Sequence, residues 1–106
     1  MFGTIAHLRP KAGQEQAVVA YLEEWERLRR PKIKGSVAEY LYRSEKNPGD
    51  LIMAVVFQDR ESYYANAADP EQDRSYRQLR ALLETDPTWE DGEIIGAHYG
   101  TREAGS

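Results

Sequence analysis

Secondary structure is signalled most clearly between residues 51 and 95, LIMAVVFQDRESYYANAADPEQDRSYRQLRALLETDPTWEDGEII. The segment opens with an apolar strand, predicted over Leu51–Gln58, and both of its faces need cover because apolar residues occupy each of them. Asp59 is placed to cap a short helix after this strand. Asp69 and Pro70 then mark a second helix start, because aspartate caps well and proline suits the first helical turn.

Two further strands and one helix are indicated before this segment. Alternation with a period of two predicts strands over Phe2–Arg9 and Ser36–Ser44. Apolar residues at helical spacing predict a helix between these strands: Ala17, Val18, Tyr21, Leu22, Trp25 and Leu28. The last strand of the chain is predicted over about Gly92–Tyr99. The complete order is therefore β-α-β-β-α-α-β.

This order predicts an α+β fold of the ferredoxin-like, split βαβ kind, in which two helices form the second crossover. We expect a four-stranded antiparallel sheet of order 4-1-3-2 with all helices on one face. The other face would then carry apolar residues of the third strand together with Tyr40 and Tyr42. A patch of this kind is uncommon on a monomer, and a second copy related by twofold symmetry would cover it. The sequence thus predicts a homodimer, with a monomer that tolerates exposed tyrosines as the alternative.

Length and composition predict one domain over residues 1–99 and a flexible tail over 100–106, since the chain has 106 residues and its end lacks apolar anchors. The absence of cysteine excludes disulfides, zinc–thiolate sites and cysteine nucleophiles. A formal net charge of −4 argues against nucleic acid as the main partner. No apolar run approaches the roughly 20 residues of a membrane span, and no secretory signal is visible. A cytoplasmic protein without a membrane partner is expected.

Histidine is the first residue type to consider for chemistry near neutral pH. His7 and His98 are predicted at opposite ends of neighbouring antiparallel strands, so they do not predict a shared metal site. His98 remains a candidate acid or base in a pocket, and a hydrogen-bonded structural role is the alternative. The chain contains neither a nucleophile-elbow motif nor a glycine-rich phosphate loop.

A polar and aromatic set forms the stronger candidate site. Trp25, Tyr63, Asn66 and Tyr76 lie on predicted helices that would face the sheet. Together with Phe57 they describe an apolar cavity for a flat, partly polar ligand. The alternative is that the tryptophan and tyrosines fill the core while their polar tips reach water or a backbone group.

Three fragments carry a resemblance to a known family: Val55–Tyr63 (VVFQDRESY), Asp69–Gln72 with Tyr76, and Trp89–Glu93 (WEDGE). The chain resembles the antibiotic-biosynthesis-monooxygenase-like family over nearly its whole length. The resemblance implies a dimeric α+β barrel. Some members oxidise phenolic polyketide intermediates with dioxygen and no cofactor, others bind and degrade haem, and many have no known activity.

The resemblance separates these activities by residue type. In haem-degrading members an asparagine, a tryptophan and a histidine fall near Ala6, Asn66 and Tyr76, and none of the three matches. Haem degradation is therefore disfavoured. Quinone-forming members surround their substrate with asparagine, tryptophan and tyrosine. Asn66, Trp25 and Tyr76 supply these residue types here, although their positions do not correspond one for one.

The resulting expectation is a monooxygenase-like protein that uses no cofactor and no metal and acts on a small aromatic or polyketide-like substrate. Its expected catalytic residues are Asn66, Tyr76 and His98, and its expected substrate-binding residues are Trp25, Tyr63 and Phe57. A non-catalytic homodimer that binds a small ligand or a partner protein is the first alternative. An isomerase or cyclase of the same fold is the second.

Overall fold

A computed structural model that describes residues 1–100 contains the predicted order of elements. Its strands and α-helices are β1 (Phe2–Leu8), α1 (Glu15–Leu28), β2 (Ser36–Arg43), β3 (Leu51–Phe57), α2 (Arg60–Ala67), α3 (Pro70–Arg80) and β4 (Thr88–Glu93). The predicted caps are confirmed. Asp59 accepts a hydrogen bond from the Ser62 backbone N–H at 2.7 Å, and Asp69 accepts one from the Glu71 backbone N–H at 2.9 Å.

The four strands form one antiparallel sheet in the order β2-β3-β1-β4, which confirms the predicted order 4-1-3-2. The pairing aligns one residue from each strand: Glu39 lies beside Val55, Val55 beside Thr4, and Thr4 beside Asp91. We call these four residues the cross-strand row. Because side chains alternate between faces along each strand, all four members of the row face the same side.

The core lies between the helices and the side of the sheet that the cross-strand row faces. Its buried side chains come from β1, α1, β3 and the α3 region: Ala6, Leu8, Val18, Leu22, Leu51, Met53, Leu79 and Leu83. A second contact at the other end of the sheet joins aromatic rings, with the Tyr63 ring centroid 5.2 Å from Phe2 and 5.6 Å from Phe57. The three helices thus cover one face, as predicted.

The opposite face of the sheet, called the open sheet face below, is largely apolar and is not covered by any other part of residues 1–100. It carries Ile5, Tyr40, Tyr42, Ile52, Ala54 and Val56. Tyr40 is 62% exposed and Tyr42 is 50% exposed. The expected composition of this face is therefore correct. No helix within residues 1–100 combines the length and apolar character needed to cross a membrane.

The bounds of the last strand and the burial of one helical residue differ from the prediction. The last strand is Thr88–Glu93 and not Gly92–Tyr99, and its pairing with β1 ends where the Ile94 N–H donates to the carbonyl of Met1. Leu28 is 48% exposed although its spacing predicts burial, since it lies in the last turn of α1. Of the predicted tail, residues 101–106 lie outside the described part of the chain.

Core packing gives a prediction for stability. Leu83 is 0% exposed, so Leu83→Ala removes contacts on all sides and should lower the free energy of unfolding by about 2–5 kcal/mol. Leu28→Ala, at a half-exposed position, should cost only about 0.5 kcal/mol. Urea unfolding of both variants at one protein concentration measures the difference, and equal losses would contradict this description of the core.

Candidate active site

A cavity of about 420 Å³ lies between the helices and the sheet. Its floor includes the whole cross-strand row, and its walls are mostly apolar or aromatic side chains from α1, β3, α2 and α3, together with the polar side chains of Asn66, Gln72 and Asp73. The volume is in the range of small-molecule sites, which are mostly apolar with a few placed polar groups. The arrangement is suited to a small, largely apolar ligand.

Five of the six predicted site residues line this cavity together: Trp25, Phe57, Tyr63, Asn66 and Tyr76. His98 does not. It is an exposed residue in the segment after β4, which has no regular secondary structure up to residue 100. Because β4 ends at Glu93, the strand that was expected to carry His98 to the pocket does not reach it. His98 therefore lies away from the cavity that the other five residues line, and its role as an acid or base stays a prediction.

Hydrogen bonds between α1 and α3 hold the wall of the cavity. The Trp25 indole N–H donates to Gln72 Oε1 at 3.3 Å, and the Tyr21 hydroxyl donates to the Ser75 carbonyl at 2.8 Å. Gln72 is the third residue of α3, and its side chain bridges the two helices. Trp25 is 8% exposed, so its indole both fills the wall and fixes the helix spacing.

Tyr63 is held as a neutral phenol. Its hydroxyl donates to Asp91 Oδ1 at 2.8 Å, and the Tyr64 hydroxyl lies 3.5 Å from Oδ2 of the same carboxylate. Burial, together with the hydrogen bond to Asp91, raises the pKa of Tyr63 to about 12. The phenol is therefore protonated at neutral pH and its proton is committed to Asp91.

Asn66 and Tyr76 present polar groups to the cavity, and these groups make no side-chain hydrogen bond comparable to that of Tyr63 within residues 1–100. The side-chain hydrogen bonds of α2 with the rest of residues 1–100 come from Tyr63 and Tyr64, and the Asn66 amide takes no part in them. The Tyr76 ring lies 6.4 Å from the Trp89 ring, centroid to centroid. Partial burial raises the pKa of Tyr76, so it too is a neutral phenol.

Glu39 and Thr4 are functional candidates that the sequence analysis missed. The pKa of Glu39 is raised to about 7, mainly by burial and to a smaller extent by repulsion from Glu26, while Arg30 opposes the shift. Thr4 is 4% exposed, and its hydroxyl oxygen has no hydrogen-bond partner within residues 1–100. The sequence shows only that Glu39 shares a strand face with Leu41; its place beneath the helices depends on the register with β3.

The residues present do not form a metal site of the usual kind. Within the part of the chain that the structure describes, no three His, Cys, Asp or Glu side chains are grouped to hold a metal ion. The polar groups of the cavity are instead single carboxyl, hydroxyl, phenol and amide groups spread over different elements. This donor set can bind and orient an organic ligand and move a proton.

The family model for antibiotic biosynthesis monooxygenases matches residues 1–78. The match covers well over half of the chain's 106 residues. The chain belongs to the antibiotic biosynthesis monooxygenase family. The family resemblance expected from the sequence fragments is thus confirmed. A comparison with curated proteins finds no match.

Solved structures share the fold. An antibiotic biosynthesis monooxygenase is 21% identical, with 91% of this chain and 100% of that chain covered and a TM-score of 0.72. Rv0793 from Mycobacterium tuberculosis is 18% identical, with 92% and 98% covered and a TM-score of 0.74. A variant of SnoaB, a cofactor-independent oxygenase from Streptomyces nogalater, is 14% identical, with 91% and 94% covered and a TM-score of 0.77. At these identities the likeness establishes the fold alone.

The raised pKa of Glu39 predicts a dependence of stability on pH. Its carboxyl has a pKa of about 7 when folded against an ordinary value of 4.5, so the folded state binds this proton more tightly. The contribution of Glu39 to the free energy of unfolding therefore falls as pH rises from about 4.5 to about 7 and is constant above that. Glu39→Gln removes the ionisation and should exceed the wild type in stability at pH 8 by at most about 3 kcal/mol.

Urea unfolding of wild type and variant between pH 4 and pH 8 measures this difference. Glu23→Gln, at an exposed position on α1, is the matched control and should follow the wild-type profile. A Glu39→Gln curve that runs parallel to the wild type across the whole range would show that the Glu39 carboxyl is not buried as described.

Proposed function

We propose that this protein is a homodimeric, cofactor-independent monooxygenase that acts on a small aromatic or polyketide-like substrate. The observation that carries the proposal is a cavity of about 420 Å³ with largely apolar walls and an uncommitted Asn66 amide. Membership of the antibiotic biosynthesis monooxygenase family supports it. The similarity to SnoaB, a cofactor-independent oxygenase, supports a reaction of this type.

The reaction balances without a bound cofactor because dioxygen is the oxidant. An anthrone-like substrate loses a proton from carbon, or a phenol loses one from oxygen, and a ring carbon of the resulting anion reduces dioxygen as a C–O bond forms. The resulting hydroperoxide loses water, so one oxygen atom remains as a carbonyl and the other leaves as water. Asn66 would donate a hydrogen bond to the substrate oxygen that gains negative charge. Tyr76 would assist proton transfer as a neutral phenol.

The open sheet face supports the dimer. Tyr40 and Tyr42 project from the edge strand beside the apolar residues of β3, and these side chains are exposed in the single chain. A second copy packed on the same face would remove this apolar surface from water.

The absence of cysteine fits the reducing cytoplasm, where we place the protein.

A non-catalytic dimer that binds a small ligand is the second candidate. It is favoured by the internal hydrogen bonds of two predicted ligand-binding residues, since the Trp25 indole is paired with Gln72 and the Tyr63 phenol with Asp91. Such pairing is also what buried aromatic residues show when they only fill a core. This candidate predicts ligand binding without oxygen consumption.

Replacement of the uncommitted polar groups tests the enzyme. Asn66→Ala and Tyr76→Phe should each lower kcat for oxygen uptake with anthrone by about 100-fold or more, because charge stabilisation or proton transfer is lost. Asn47→Ala in the β2–β3 turn and Tyr99→Phe after β4 are the matched controls and should leave kcat unchanged. Unchanged turnover in both cavity variants would remove the roles given to Asn66 and Tyr76.

The dimer is tested by light scattering at micromolar concentration, where the mass should be twice the 12.1 kDa of one chain. Tyr40→Glu combined with Tyr42→Glu places two charges on the open sheet face and should give monomers. Gln78→Glu, on the exposed side of α3, should remain dimeric. A monomeric mass for the wild type would contradict the proposed assembly.

A further inference from the structure

The floor of the cavity has a carboxyl group at each end. The cross-strand row runs Glu39, Val55, Thr4 and Asp91 across all four strands, and every member lines the cavity. Adjacent strands are about 4.8 Å apart, so the backbones of Glu39 and Asp91 are separated by about 14 Å. An elongated ligand lying along the row would meet one carboxyl group at each end.

The two ends of the row differ in what they can offer a ligand. Asp91 already accepts hydrogen bonds from the hydroxyls of Tyr63 and Tyr64. The Glu39 carboxyl makes neither a hydrogen bond nor an ion pair with the rest of residues 1–100. Glu39 is therefore the carboxyl group of the row whose lone pairs are not engaged by any side chain within residues 1–100.

The charged neighbours of Glu39 balance one another. From α1, Glu26 and the Tyr21 phenol face it, and Arg30 follows the helix. Arg30 pairs with Glu26 and donates to the Val37 carbonyl, and its charge lowers the pKa of Glu39 less than Glu26 raises it. From β3 the facing residue is the uncharged Val55. Burial thus dominates, and it raises the pKa of Glu39 to about 7, which suits a proton acceptor at neutral pH.

We propose that Glu39 is the general base of this site and removes a proton from a substrate carbon acidified by adjacent aryl and carbonyl groups. This inference rests on the proposed function. The C–H bond breaks, its proton forms an O–H bond on Glu39, and the electron pair stays on the substrate as an enolate. After dioxygen adds, Glu39 returns the proton to the peroxide, which then loses water. The carboxylate is thereby regenerated and no electrons pass through the protein.

Thr4 indicates how a substrate would be oriented along the cross-strand row. Its buried hydroxyl lies in the middle of the row beside the Tyr63 phenol, whose pKa it acts to lower, and it makes no hydrogen bond of normal geometry within residues 1–100. It can therefore donate a hydrogen bond to the substrate oxygen. An oxygen held there places the neighbouring ring system towards Glu39 or towards Asp91. Because Asp91 is occupied by two phenols, the acidic carbon is expected at the Glu39 end.

The test separates proton removal from oxygenation. Wild-type protein and variants are mixed with anthrone in deuterated buffer without oxygen, and loss of the methylene signal is followed by NMR. Wild type should accelerate exchange above the buffer rate, with a rate that rises through an inflection near pH 7. Glu39→Gln should lower that acceleration by about 100-fold or more and abolish the inflection. Glu39→Asp should retain part of it, and Glu23→Gln all of it.

Oxygen uptake under air is then measured for the same proteins, and a thermal shift with anthrone verifies that Glu39→Gln still binds. Exchange that depends on Glu39 without oxygen uptake would support the base and reject the oxygenase in favour of an isomerase or cyclase. Uptake and exchange that persist in Glu39→Gln would overturn the inference and leave the oxygenase standing. Wild type that produces neither exchange nor uptake would overturn both.

Discussion

The apolar strand β3 is the constraint from which the rest of the structure follows. It pairs with β1 on one side and β2 on the other, so it cannot be an edge. Leu51, Met53 and Phe57 are buried on its helix-facing side, which fixes where the helices must lie. The residues between them on the other side, Ile52, Ala54 and Val56, remain apolar and face outward. Both faces of β3 therefore need cover. The core of the same chain covers one face, and we propose that a second chain covers the other.

The cavity follows from the choice of side chains along the same strand. Large residues close the two ends of the helix-facing side, with Leu51 at one and Phe57 at the other. Between them the cross-strand row contains only a valine, a threonine and two acids, and none of these fills the space beneath the helices. Burying Glu39 there opposes folding, because its charged form loses solvation. A group that costs stability inside an otherwise consistent fold marks the position where function is expected.

Local patterns made most of the fold predictable. Alternation and the aspartate caps at Asp59 and Asp69 act over a few residues, so they are visible in the sequence. The end of β4 was not predictable in this way. Ile94, Ile95 and Tyr99 have the composition of a strand, but a strand also needs a partner, and the pairing of β4 with β1 ends at the hydrogen bond from Ile94 to Met1. The aromatic wall of the cavity was predictable from helical spacing, which is also a local pattern. Glu39 was missed because only the register across four strands places it beneath the helices.

When dioxygen is the oxidant, the protein has three main tasks: it excludes water, removes one proton and stabilises the charge that remains. In the reaction that we propose, the three would fall to different elements. The aromatic wall on α1 and α3 would exclude water, and the Asn66 amide on α2 would meet the developing charge. The proposed base, Glu39, lies on β2, the edge strand of the sheet. An edge position gives a proton taken by Glu39 a short path to solvent, while β3 and the helices keep the substrate itself dry. Because His98 lies outside the cavity, a carboxyl whose pKa is raised by burial is the group that can fill this role without a histidine.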